Sequence, residues 1–249
     1  MDFVEVLQHH ILDHRLLKLF TLGTTPIYLT LHGLMMVIAG AILLSVLLVA
    51  RRQTGLVNHG WANLFEVFIV FIRDDIVRPN LGPTSDQYLP YFLTLFFFIL
   101  LCNLLGLVPF GATATGNISV TAAMAITTFL MINISGIRQH GVIHYLQTFI
   151  PHGLPFWLVP LMFVIEILGL FTKSFALCIR LFANMIAGHI VILAFIGLIF
   201  IFRSILIAPI SVAAAVGLAL LEIFVAFLQA YIFTLLTAVF VGGAVNPQH

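Results

Sequence analysis

Arg180 is a permanent cation in sequence that otherwise excludes charge. It lies in CIRLFANMIAGH, residues 178–189, which also holds Asn184 and ends on His189. From Phe156 to Phe202 the only charged or imidazole side chains are Glu166, Lys173, Arg180 and His189. Glu166, Lys173 and Arg180 are spaced by seven, and Asn184 follows Arg180 by four. On a helix those intervals return to one side, so the four residues share a face. His189 is nine beyond Arg180 and points to nearly the opposite face. A charge at mid-bilayer costs from about 2.5 to above 10 kcal/mol, and a guanidinium cannot shed its proton. Snorkelling is a poor escape, because both ends of the run are distant. Glu166 is too far along the same helix to pair with it, at about 21 Å. The partner carboxylate of Arg180 is therefore expected on another subunit.

A second apolar run, from about Ile205 to Val241, carries Glu222 as its only charge and Gln229 seven residues later. If the two runs form an antiparallel helix hairpin, facing residues share a midpoint. Arg180 with Gln229, and His189 with Glu222, both place the turn near residue 205, beside Arg203. After Pro160 no proline interrupts the first run as far as Ala187, and Gly169 is its only glycine over that stretch. That argues against a sharp turn and for one long, steeply tilted helix.

These residues need a scaffold, and composition names its class. The chain has 249 residues, 62% of them hydrophobic and 8% charged, against about one quarter charged in soluble domains. The uncharged run from Gln87 to Ile137 is long enough for two membrane helices. Continuous rather than alternating apolar runs indicate helices, not a barrel. The expected fold is an all-α integral membrane protein forming one domain over 1–249, with about five membrane helices plus an interfacial helix. Residues 1–25 read as an outer amphipathic tail and 26–50 as the first span, followed by the basic stop Arg51–Arg52. Residues 60–79, with Glu66, Arg73, Asp74 and Arg78, read as a helix lying at the interface. Residues 88–137 read as a two-span hairpin and 156–242 as the long tilted pair. Lys and Arg cluster modestly on the loops with Arg51, Arg52, Arg73, Arg78 and Arg138, which favours an N-terminus outside and a C-terminus in the cytoplasm.

Other features point away from alternative chemistries. The net charge of +1 gives no sign of nucleic acid, and the first twenty residues lack the pattern of a signal peptide. Cys102 and Cys178 fall inside apolar runs and read as core residues, not as a disulfide or metal site. His10 with His14, and His140 with His144, have a spacing that could hold a metal, but read as wet helix faces. GLFTKS has lysine and serine in the order of a phosphate-binding loop but Thr172 where glycine is needed. No cofactor, metal or catalytic residue is expected.

RLFANMIAGH resembles the signature of subunit a of rotary F-type ATP synthases, the ion-channel stator of the membrane sector. The similarity extends through EILGLFTKSFALCIRLFANM and LEIFVAFLQAYIFTLLTAVF, and more weakly to LLCNLLGLVPFGATATGNISVT, covering most of residues 88–242. The resemblance implies that Arg180 faces a carboxylate on each passing proteolipid of a rotating c-ring. It implies two offset half-channels carrying protons to and from that carboxylate. His189, Glu222 and Gln229 match positions near the outer half-channel and the ring contact. Glu166 matches an acidic position at the cytoplasmic half-channel, and Lys173 a frequently basic position. Some members carry the acid at position 189 and the histidine at position 222, so acid and imidazole are exchanged here. The implied partners are the c-ring, peripheral-stalk b subunits, the F1 sector and membrane lipid. The implied setting is an energy-transducing membrane, such as a bacterial inner membrane, with ATP chemistry on other subunits. The alternative is a secondary anion transporter with Arg180 as its substrate site. It calls for internal repeats and broken helices, and the sequence offers neither.

Overall fold

A computed structural model describes residues 15–22, 25–51, 61–108, 113–147, 149, 155–202 and 208–246. The 1–14 part of the tail, His10, His14, Arg52 and the turn at Arg203 lie outside the described residues. Strands β1, Arg15–Leu22, and β2, Thr25–Thr30, pair antiparallel. Helices follow: α1 Leu31–Arg51, α2 Trp61–Phe71, α3 Arg78–Leu81, α4 Ser85–Gly106, α5 Ile118–His140, α6 Val142–Gln147, α7 Val159–Phe202 and α8 Ala208–Val245. A π-helical segment, Ile72–Val77, joins α2 to α3. Five of the described stretches are long and apolar enough to cross a bilayer: Leu31–Leu48, Asn63–Gly106, Ile118–His140, Val159–Ile199 and Ala208–Val245. The chain is an all-α integral membrane protein with one short β-hairpin near its start.

The helix of the first span begins at Leu31, five residues later than the reading from Pro26. Thr25, Ile27 and Thr30 are β-branched, and Pro26 lies near the start of β2, where its missing N–H is tolerated. The segment from Trp61 to Gly106 is nearly continuous helix. Gly82 divides its charged first part from its apolar second part. Its φ of 60° is a left-handed value that favours glycine, and Pro83 follows at once.

The described residues form two compact units, one within Met1–Arg52, Phe97–Thr121 and Arg180–Ala230, and the other within Gln53–Phe96, Ala122–Ile179 and Tyr231–His249. In the first, Ile99, Cys102, Asn103, Ala114, Leu181, Met185 and Ala226 are buried. In the second, Ile72, Phe92, Phe96, Ile132, Leu177, Phe233 and Val241 are buried. Polar residues are also inside: Thr121 in the first unit, and Thr128, Ser135, Thr234 and Thr237 in the second. Large apolar side chains such as Leu48, Ile126, Leu168 and Leu220 are exposed. That distribution suits hydrocarbon as the solvent, since lipid rewards apolar surface and penalises unsatisfied polar groups.

Helix α7 has 44 residues and α8 has 38. At 1.5 Å per residue they are about 66 and 57 Å long, roughly twice the hydrocarbon thickness of about 30 Å. Keeping that apolar length in the bilayer requires a steep inclination.

Candidate functional site: a glutamate–histidine pair and an exposed arginine

Within the first unit, α7 presents His189 to Glu222 of α8. His189 Nδ1 stands 2.7 Å from Glu222 Oε1, and Glu222 is only 5% exposed. The contact is an ion pair by distance. Neither carboxylate oxygen has an aligned hydrogen bond among the described residues. Gly188 makes room for this approach: a Cβ there would stand 2.7 Å from Glu222 Oε1 and 2.9 Å from its Cδ. Even an alanine would push the carboxyl group aside.

The other edge of the imidazole meets the end of α4 and the segment before α5. His189 Nε2 is 2.8 Å from Thr113 Oγ1 and 3.1 Å from the Gly106 carbonyl oxygen. Nδ1 is also 3.2 Å from the Met185 carbonyl oxygen. A protonated ring donates from Nδ1 to the Met185 carbonyl and from Nε2 to the Gly106 carbonyl, with the Glu222 carboxylate beside it as counter-charge. A neutral ring with its proton on Nδ1 still donates on that edge, while Nε2 accepts from the Thr113 hydroxyl. Either state has partners in place, as a group that passes protons requires. Nearby in the same unit, Asn103 Nδ2 donates to the Ala226 carbonyl at 3.3 Å, and Thr115 Oγ1 donates to Asn103 Oδ1 at 2.7 Å. Asn103 and Thr115 are fully buried.

Arg180 lies on the other side of α7. It is exposed, as are Ala176, Ala183 and Ala187 at four before and three and seven after it. Leu177, Leu181 and Met185 are buried on the opposite side. Arg180 belongs to none of the ion pairs Arg73–Asp74, Arg78–Asp74 and His189–Glu222. Asn184 is half-buried. Gln229 is buried, and no hydrogen bond joins it to Arg180 among the described residues.

The remaining sequence candidates lie in the second unit. Glu166 is half-buried and Lys173 exposed. Lys173 Nζ stands 5.5 Å from the centre of the Phe240 ring, a cation–π separation. Glu166 is an electrostatic neighbour of Tyr145 on α6. Burial, with that carboxylate adding to it, pushes the Tyr145 phenol above its ordinary pKa. Tyr145 Oη donates to Asn133 Oδ1 at 3.2 Å.

Thr113, Gly106, Asn103 and Thr115 were not singled out by the sequence reading. Asn103 and Gly106 end the apolar helix α4 and Thr113 and Thr115 lie in the uncharged turn VPFGATATGN after it, which reads equally as an ordinary helix end and turn.

Helix α7 thus carries an exposed arginine on one face and, on the other, a half-buried imidazole against a buried acid. Residues 33–242 match the family model described as ATP synthase A chain. The chain belongs to that family. ATP synthase subunit a of Chloroherpeton thalassium is 51% identical over 232 residues, covering 91% of this chain and 69% of its own length. ATP synthase subunit a 2 of Prosthecochloris aestuarii is 47% identical, covering 96% and 79% respectively. ATP synthase subunit a of Myxococcus xanthus is 45% identical, covering 91% and 76%. The match spans α4, α5 and α7 in full and most of α1 and α8, so both the arginine face and the His189–Glu222 pair fall inside the region shared with the family.

Proposed function

We propose that this chain is the proton-channel stator of a rotary F-type ATP synthase, working in a bacterial inner membrane with its N-terminus outside. In this reading Arg180 faces the carboxylates of a c-ring. His189, Glu222 and Gln229 serve the outer half-channel and the ring contact, Glu166 the cytoplasmic half-channel, and Asn184 takes part in proton translocation from the side of α7 that carries Arg180. The exposure of Arg180 on an uncovered helix face is the observation that carries the reading. A permanent cation in an apolar face is costly unless a carboxylate meets it. Ala176, Ala183 and Ala187 flank it, and small side chains let a second membrane helix approach closely. A carboxylate about 4 Å away gains roughly 4 kcal/mol on ionisation at an effective dielectric near 20. That favours loss of its proton as it arrives and bars a protonated site from passing between the half-channels. A potential of 100 mV adds about 2.3 kcal/mol per proton. Family membership leaves the anion-transporter reading without support. The test is Ala183→Cys paired with single cysteines along the outer helix of the proteolipid that copurifies with the chain. Crosslinking near the proteolipid carboxylate is expected. Crosslinking only far from that carboxylate, or copurification with no proteolipid, contradicts the reading.

A further inference from the structure

The elbow between α5 and α6 carries two imidazoles that the proton path does not use. His140 is the last residue of α5 and His144 lies on α6. Gly141 between them has φ +78°, a conformation other residues rarely adopt. The ring centres are 5.6 Å apart with the planes at 53°. Two imidazoles sharing one metal ion, each through one nitrogen at about 2.0–2.1 Å, bring their ring centres to within roughly 5–6 Å.

The second observation concerns the tautomer. His140 Nε2–H donates to the carbonyl oxygen of Val245 at 2.8 Å, and Val245 is the last residue of α8. In a neutral ring that bond leaves the lone pair on Nδ1. Metal-binding histidines are characteristically held this way, with the other ring nitrogen donating to a carbonyl or carboxylate. His144 is exposed, so a cation can reach the pair from water. Both histidines and Val245 belong to the same compact unit.

The geometry points to a binding site for a borderline transition-metal dication, with Zn²⁺ as its probe, formed by His140 Nδ1 and one nitrogen of His144. Among the described residues no group of three His, Cys, Asp or Glu forms a metal cluster, so water completes the coordination. Imidazole ligands select Zn²⁺, Cu²⁺ or Ni²⁺ over Mg²⁺, which prefers oxygen. Binding would tie α6 to the end of α5 across the glycine and strengthen the bond that caps α8. The inference is independent of the proton-channel reading.

The test is titration of the full chain, in the complex with which it purifies, against a chromophoric chelator, using Zn²⁺ and then Mg²⁺. His144→Gln removes an exposed ligand, and His140→Gln keeps an N–H donor for Val245. The wild type should bind one Zn²⁺ that each variant loses by at least tenfold in affinity. The double variant should lose no more than either single, because a chelate fails when one arm is gone. Mg²⁺ should not compete. Wild-type Zn²⁺ binding by His144→Gln would overturn the assignment. So would two partial losses that sum in the double variant, which would mean that the imidazoles bind separately.

Discussion

His189 is surrounded so that its proton can leave or arrive without stranding a ring nitrogen. Glu222, the Met185 carbonyl, the Gly106 carbonyl and the Thr113 hydroxyl together serve both protonation states. If acid and imidazole work as one unit, their order should matter less than their inventory. The double variant His189→Glu/Glu222→His should retain more ATP-driven proton pumping than either single change, measured in inverted vesicles between about pH 6 and 9, around the histidine pKa. Additive losses would mean that the two residues act independently. Thr113→Val removes the hydroxyl that a neutral ring needs. It should slow pumping about fivefold, on the scale of one hydrogen bond worth about 1 kcal/mol, and an unchanged rate would remove Thr113 from the relay. The acid and the imidazole were legible because each interrupts an apolar run and their midpoint coincides with that of a second polar pair. Thr113 was not, because threonine before Gly116 in TATGN is an ordinary turn residue. Nothing in its spacing links position 113 to position 189.

At the scale of elements, the pairing of α7 with α8 follows from few observations. His189 meets Glu222 in one unit and Lys173 meets Phe240 in the other. The midpoints of these pairs fall at nearly the same place, between Phe202 and Ala208, where the two helices end and begin. The single polar residues of otherwise uniform helices made that register readable. By contrast, β1 and β2 were not foreseen. In RLLKLFTL the polar residues Arg15, Lys18 and Thr21 recur every third position, which suits an amphipathic helix better than a strand, and strand pairing depends on a partner outside the window. Nor did composition reveal that Trp61–Gly106 is nearly continuous helix, because its charges in the first half resemble an interfacial segment. Cysteines replacing His189 and Glu222 should crosslink within one chain under mild oxidation, as should cysteines replacing Lys173 and Phe240. Efficient crosslinking of position 222 to position 166 instead would show that the helices slide into another register.

For the whole molecule, the distribution of charge separates tasks. The acid and the imidazole turn inward, where Gly188 and Thr113 fit them closely, and contribute to the fold as well as to any proton path. Arg180 turns outward among alanines and contributes no ion pair to the described residues. Removing it should therefore leave folding and assembly largely intact while abolishing coupling. Lysine should substitute poorly, since an ammonium lacks the planar fork of guanidinium and can lose its proton when desolvated. The decisive measurement is ATP-driven proton pumping by inverted vesicles carrying Arg180→Ala, with assembly verified by copurification of the proteolipid ring. If Arg180 faces the ring carboxylates, the complex assembles and shows no detectable pumping. Near-normal pumping by that variant would contradict that placement, because no other cation on the exposed face of α7 stands where Arg180 does.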